Sequence, residues 1–286
     1  FIILKTAKDS FLYVAPPAEL AWKPMMEVYK SRNAFGSVES YSTPIQSIDI
    51  VKNTTGRWAL FLDRKLQFFS DSEAAYHAAF VEISQQSNRT GFENILVIGG
   101  GDGLLARDLL RTGRVKKITL IEIDQLMVNL ANEHSLFTDL NGKALQDPRV
   151  RVVIDDGYKW ILRNKEKFDG ILMDLPIPFN AEMSRLFSFE LFSLLKRSLN
   201  PGGTLTFDFP SPSLRHFERF GSRRYDVFHS VREALELAGF DDVRFQGESE
   251  SFLTGVVSEK RLVQAVQRPY NSIFKPVYFQ PLIRSK

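Results

Sequence analysis

Four stretches of this sequence end in residues that could hold a nucleoside. A glycine cluster, Gly99-Gly100-Gly101-Asp102-Gly103, follows the apolar run Ile95 to Ile98, and Glu122 closes a second run, Ile118 to Ile121. Asp156-Gly157 follows Val150 to Ile154, and Asp174 ends a run that begins at Asp169. Glycines let the backbone turn sharply and approach a ligand closely. An acid about twenty residues past such a loop, at the end of the second strand of a doubly wound sheet, is placed to accept hydrogen bonds from ribose hydroxyls. The spacing Gly99-x-Gly101-x-Gly103 differs from the dinucleotide fingerprint, which needs its third glycine three positions after the second. Together the loop and Glu122 point to a nucleoside rather than a pyrophosphate.

The elements that would carry these residues alternate. Strand candidates at 94–98, 116–121, 150–154, 169–174 and 203–209 are separated by helix-like runs at 104–112, 125–134, 158–163, 189–199 and 224–238. Short aliphatic runs of this kind read as parallel strands buried on both faces, and ligands of such sheets bind beyond the carboxyl ends of the strands. Ahead of this region, Ile45–Val51 and Trp58–Leu62 read as a hairpin turning at Asn53-Thr54-Thr55-Gly56, and Asp63-Arg64-Lys65 turns into Leu66-Gln67-Phe68. Helical spacing from Ser72 to Ser84 places Tyr76 and His77 on an amphipathic helix, where such residues are ordinarily packing or surface groups.

At the start of the chain, Pro16-Pro17 and Pro24 break up residues 1–40, where Phe1–Leu4 and Phe11–Val14 read as short strands and Met25–Tyr29 as a helical turn. Beyond Gly239-Phe240, Asp242–Phe245 and Gly255–Ser258 read as a closing hairpin, and the tail from Arg268 as an extended arm. The expected organisation is an extension at 1–40, a small β unit with its helix at 41–90, a nucleoside-binding domain at 91–262 and an arm at 263–286.

Composition narrows the chemistry. The 286 residues, 44% hydrophobic and 25% charged, are those of an ordinary globular protein. Lys and Arg number 37 against 34 Asp and Glu, a balance that gives no reason to expect nucleic acid as a partner. The cluster Arg215, Arg219, Arg223 and Arg224 reads as a solvated helix face. With no cysteine, disulfides, thiolate metal sites and cysteine nucleophiles are excluded, and the four scattered histidines form no paired metal motif. No signal peptide and no membrane-length apolar run is present in this sequence.

Taken together, these residues resemble the polyamine aminopropyltransferases, the spermidine synthase family. The resemblance runs from about Thr43 to Ser258 and rests on Ile98 to Gly103, Glu122-Ile123-Asp124, Asp147-Pro148-Arg149-Val150 leading to Asp156-Gly157, and Asp174 within Met173 to Pro178. Leu186 to Phe192 and Leu60 to His77 add to it. It implies a class I methyltransferase-like (Rossmann-like) α/β fold, a doubly wound sheet behind a small N-terminal antiparallel β unit.

The resemblance also implies a transferase whose co-substrate is decarboxylated S-adenosylmethionine, with no permanently bound cofactor and no metal. Gln46, Gly99, Gly101, Asp102, Gly103, Glu122, Asp156 and Gly157 would hold the donor: Glu122 by the ribose, Asp156 by the adenine amino group, Asp102 by the propylamine. Gln67, Tyr76, His77 and Asp174 would line the donor and amine pockets. Asp174, with Tyr76 beside it, would take the proton of the attacking amine. A small-molecule amine as acceptor, a homodimer and a cytoplasmic location are further implications. Asn141-Gly142 and Leu175-Pro176 resemble bacterial members whose catalytic domain follows a multispanning membrane region. With the non-methionine start, that leads us to expect a longer natural chain tethered to the inner membrane.

Departures from the family fall on the acceptor side. Ile177 stands where the family has a second acid, Ser72 where it has an aspartate, and Phe252-Leu253-Thr254-Gly255 where bacterial members have a Gly-x-Trp-Gly pattern. An apolar wall at Ile177 removes a charge partner for a diamine, which Glu182, Glu248 or Glu250 would have to supply. Three readings are therefore open: aminopropyl transfer to an altered acceptor; a reaction of intact S-adenosylmethionine, by internal cleavage or cyclisation or by methyl transfer; and non-catalytic nucleoside binding.

Overall fold

The structure, a computed structural model, describes residues 2–5, 11–14, 37–86, 88–175, 185–209, 231–246 and 261–267. At the N-terminus β1 (Ile2–Lys5) and β2 (Phe11–Val14) pair as a two-stranded antiparallel ribbon. A four-stranded antiparallel meander follows, formed by β3 (Ser37–Ser42), β4 (Ser47–Lys52), β5 (Trp58–Leu62) and β6 (Lys65–Phe69). The β5–β6 turn places Asp63 and Arg64 at φ 47° and 62°, the two positive values a two-residue hairpin of matching twist requires. Strand β3 was not expected, and it begins before residue 41, so the small unit takes in residues assigned to the extension.

Helix α1 (Glu73–Gln86) leads into the main sheet of β7 (Asn94–Gly99), β8 (Lys117–Glu122), β9 (Val150–Ile154), β10 (Phe168–Asp174), β11 (Leu199–Phe209), β12 (Phe240–Gln246) and β13 (Arg261–Gln267). Its order is β12-β13-β11-β10-β7-β8-β9, with β11 to β9 parallel and β13 antiparallel to both its neighbours. This is the methyltransferase-like doubly wound sheet. Ile95 and Val97 of β7 face one core with the meander's Ile48, Ile50 and Leu60, and Leu96 and Ile98 face the other, so a period of two feeds two layers. The meander thus shares a core with the main sheet.

Between the strands lie α2 (Leu104–Arg111), α3 (Gln125–Glu133), α4 (Ser135–Asn141), α5 (Gly157–Arg163), α6 (Phe189–Arg197) and α7 (residues 231–237). The helix expected over 125–134 is followed at once by α4, because His134 turns extended and its Nδ1 accepts the Leu136 N–H, capping the new helix. The same ring meets Glu39 of β3 at 3.3 Å and the edge of Trp58, joining the meander to the main domain.

Two expectations near the C-terminus need correction. The strand that pairs with β12 is β13, not Gly255–Ser258, which lie outside the described residues. Because β13 is hydrogen-bonded along β11 as well, residues 263–267 belong to the sheet and not to an arm. Met25–Tyr29 and the cluster Arg215 to Arg224 also lie outside the described residues. Among those described, no helix is long and apolar enough to cross a membrane.

Candidate active site

The carboxyl ends of the parallel strands gather the site. The chain leaves β7 through Gly99 (φ +83°), where a Cβ would stand 2.1 Å from the Asp174 carbonyl oxygen of the adjoining β10. At Gly101 a Cβ would lie 2.5 Å from Glu122 Oε2, and the bare N–H of Gly101 donates to that oxygen at 3.1 Å. Gly103 (φ +80°) opens α2 and donates its N–H to Gly100 O. The glycines are thus required by close approach of the Asp174 backbone carbonyl and the Glu122 carboxylate and by a left-handed turn.

Glu122 is buried, and its Oε1 accepts the backbone N–H groups of Ile123 and Asp124 at 2.8 and 2.9 Å. Burial raises its pKa to about 7, against the lowering effect of the three N–H donors. Asp124, also buried, caps α3 with Oδ1 and receives Gln46 Nε2 and Thr43 Oγ1 on Oδ2, both at 3.0 Å. Gln46 is therefore joined to the Glu122 end of the site through Asp124. Ile123 and Ile154, 44% and 41% exposed at the tips of β8 and β9, leave apolar surface beside Glu122 of the sort a purine face would cover.

Asp156 caps α5, its Oδ1 accepting from Tyr158 N and Lys159 N, while Oδ2 takes the Arg185 guanidinium at 2.6 Å. Burial works to raise its pKa, but these donors and the Arg185 charge outweigh it and hold the carboxyl below its ordinary value. Gly157 starts α5 where a Cβ would press within 2.7 Å of Ile98.

On the other side of the glycine loop, His77, Asp102 and Asp174 each bring one nitrogen or oxygen within 4.8 Å of the others. His77 Nε2 stands 4.0 Å from Asp174 Oδ2, and its Nδ1 meets both Glu73 O (2.9 Å) and Glu73 Oε2 (3.0 Å). Asp102 caps α2 through Leu104 N. Burial pushes its pKa to about 6, with the negative charge of Asp174 adding to the rise and His77 opposing it. Burial also lifts the Tyr76 hydroxyl well above the usual phenol range, reinforced by Asp208, Asp174 and Asp102. Tyr76 donates to Asp208 Oδ2 at 3.2 Å, and its ring stands edge-on to His77. Carboxylates gathered around one imidazole and one phenol could accept the three N–H donors of an alkylammonium.

Gln67 is the expected site residue that the structure does not bring to this cluster by a hydrogen bond: its Nε2 donates to Lys65 O within its own hairpin. Conversely, Glu73, Asp124, Arg185 and Asp208 join the site without having been assigned to it. The strand-end rule that points to Glu122 and Asp174 also reaches Asp208 on β11, and Asp124 is legible as an acid just ahead of a helix. Ile177 and Glu182 lie outside the described residues, as do Glu248, Glu250 and Phe252 to Gly255.

Comparison with known proteins concerns the family and the fold. The family described as "Spermine/spermidine synthase domain" matches residues 73–217. Polyamine aminopropyltransferase 1 of Streptomyces coelicolor is 33% identical over 219 residues, covering 75% of this chain and 39% of that protein. The polyamine aminopropyltransferase of Oceanobacillus iheyensis is 39% identical over 153 residues, covering 54% and 30%. The chain therefore spans well under half the length of these relatives. Among solved structures, spermidine synthase from Thermotoga maritima superposes with a TM-score of 0.64 at 23% identity, over 80% of this chain and 72% of that one. A spermidine synthase in complex with the transition-state analogue AdoDATO gives 0.67 at 24%, over 80% and 73%. At these identities the structures establish a common fold.

Proposed function

Because the chain belongs to the spermine/spermidine synthase family, we propose that it transfers an aminopropyl group from decarboxylated S-adenosylmethionine to an amine, releasing methylthioadenosine. The observation that carries this reading is the division of one site into two halves. A buried acid suited to ribose hydroxyls, Glu122, is held against Gly101 on one side of the loop, and the cluster of Asp102, Asp174 and His77 lies on the other.

In this reading the ribose hydroxyls donate to Glu122, the adenine lies beside Ile123 with its amino group toward Asp156, and the donor's ammonium faces Asp102. The amine enters beside Asp174 and Tyr76. Its nitrogen lone pair attacks the methylene next to the sulfonium, the C–S bond breaks, and the electron pair stays on sulfur. One N–H proton passes to Asp174. Positive charge moves from sulfur to nitrogen during the step, so carboxylates fixed around both positions stabilise it without rearranging. Intact S-adenosylmethionine would bring a carboxylate into the same field and be repelled, which favours the decarboxylated donor. A homodimer belongs to the same proposal, and light scattering that returned the 32.7 kDa monomer mass would contradict it.

The test is mass spectrometry of products after incubation with each donor form, with and without a panel of amines. Methylthioadenosine that requires both the decarboxylated donor and an amine supports the proposal and identifies the acceptor. Methylthioadenosine from the intact donor alone replaces it with internal cleavage, S-adenosylhomocysteine replaces it with methyl transfer, and no product leaves nucleoside binding only. Asp174→Asn is expected to bind methylthioadenosine as the wild type does and to lose turnover by a factor of ~10² or more.

A further inference from the structure

Behind the cluster of Asp102, Asp174 and His77 lies a chain of buried charges that the transfer chemistry above does not use. Glu73, at the start of α1, has a side chain 2% exposed. Its two oxygens receive the Arg107 guanidinium at 2.7 and 3.0 Å. Arg107, on α2, is bound in turn by both oxygens of Asp108 at 3.0 and 2.8 Å, and it donates to Leu140 O. Paired forks of this kind hold a carboxylate ionised and fixed in direction.

The consequence falls on His77. Both groups that meet its Nδ1, Glu73 O and Glu73 Oε2, are acceptors, so Nδ1 carries a hydrogen and the neutral ring presents its Nε2 lone pair toward Asp174. The 4.0 Å gap to Asp174 Oδ2 lies about 1 Å beyond a hydrogen bond, a distance that catalytic contacts close when substrate binds.

We infer that Glu73, anchored by Arg107, is a positioning residue that fixes His77 as the acceptor of the proton Asp174 takes from the amine. The inference rests on the aminopropyl-transfer reading. In balance, an N–H bond of the ammonium breaks as an O–H bond forms on Asp174. That O–H then breaks as N–H forms at His77 Nε2, and the imidazolium, paired with ionised Glu73, later gives the proton to water. Among the described residues, the charged and titratable groups that face the ring are Glu73 and Tyr76 from its own helix, Asp102 from the glycine loop and Asp174 from β10, with Arg107 and Asp108 behind Glu73.

The experiment compares wild type with Glu73→Gln, which keeps an acceptor at Nδ1 and a partner for Arg107 while removing the charge. The pH profile of kcat is recorded with whichever amine serves as acceptor. Neutral His77 is the working form, so kcat rises with pH through its titration. Loss of the Glu73 charge lowers the His77 pKa, moving that limb to lower pH by about one unit or more, with kcat on the plateau falling on the order of 10²-fold and KM changed little. Glu73→Asp, which restores the charge, is expected to bring the limb back toward its wild-type position. A fall in kcat with the limb unmoved is what a merely structural role gives, and it overturns the inference while leaving transfer intact.

Nitrogen NMR of the imidazole, assigned with His77→Asn among the four histidines, needs neither a stable variant nor turnover. A neutral ring protonated on Nδ1 is expected, and protonation on Nε2 overturns the inference. Wild type that turns over no amine removes the transfer reading instead, and the proton route with it, and the NMR result then decides separately whether Glu73 fixes the ring.

Discussion

Glu122 allows the nucleoside half of the site to be tested by pH alone. Its carboxyl is raised from 4.5 to about 7 by burial, and only the ionised form can accept from both ribose hydroxyls. Below that value each pH unit leaves about a tenth as much ionised carboxylate, so affinity should fall about tenfold per unit and about a hundredfold by pH 5, some 2.7 kcal/mol. Above about pH 8 it should level off. The probe is methylthioadenosine, which has no ammonium to engage Asp102, and the assay is isothermal titration calorimetry in buffers of differing ionisation heat, which also counts the protons released on binding. A 2′,3′-dideoxy analogue should bind weakly with little pH dependence.

Stability carries the opposite sign. Since the folded, empty protein holds the Glu122 proton more tightly than the unfolded chain does, this contribution is full below the unfolded value of 4.5 and disappears as pH rises through about 7. It amounts to about 3 kcal/mol, which urea titrations of wild type and Glu122→Gln at both ends of the range isolate from other groups. Flat affinity between pH 6 and pH 8, or equal pH dependence in wild type and Glu122→Gln, would refute the assignment.

Two further predictions concern the supports of that carboxylate. Gly101→Ala places a Cβ 2.5 Å from Glu122 Oε2, so the carboxylate must move and lose a charge-assisted bond; nucleoside affinity should fall by roughly 10- to 100-fold, about 1.5–3 kcal/mol, by calorimetry. Gln46→Ala removes one of the two side-chain donors on Asp124 Oδ2 while Thr43 remains; the expected loss is about 1 kcal/mol, or roughly fivefold. A loss above a hundredfold would instead mean that Gln46 touches the nucleoside itself.

The central strands were legible because they follow from local pattern: aliphatic runs specify β7 and β8, with Gly99 and Glu122 at their ends. Features that depend on distant partners were not. His134 continues an apolar helical spacing, and only its contacts with Glu39 and Trp58 account for the second cap. The strand that completes the sheet could not be placed, since Gly255–Ser258 and Arg261–Gln267 are similar short apolar runs and their pairing to β11 is a matter of three-dimensional register. Glu73 reads as an ordinary first-turn acid of a helix, and its bond to Arg107 spans 34 residues. Asp208 lies within reach of the same strand-end rule, but its strand carries no glycine or acid motif beyond it.

The Asp124 carboxylate serves two masters at once. It starts the helix that follows Glu122, and it receives Thr43 and Gln46 from the turn between β3 and β4. Lifting that turn frees a carboxylate two residues from Glu122, whose backbone N–H donors include that of Asp124 itself. With a nucleoside at Glu122, as proposed, undocking of this turn is expected to speed its escape. A bound nucleoside should in return slow amide hydrogen exchange across β3 and β4, strands it never touches.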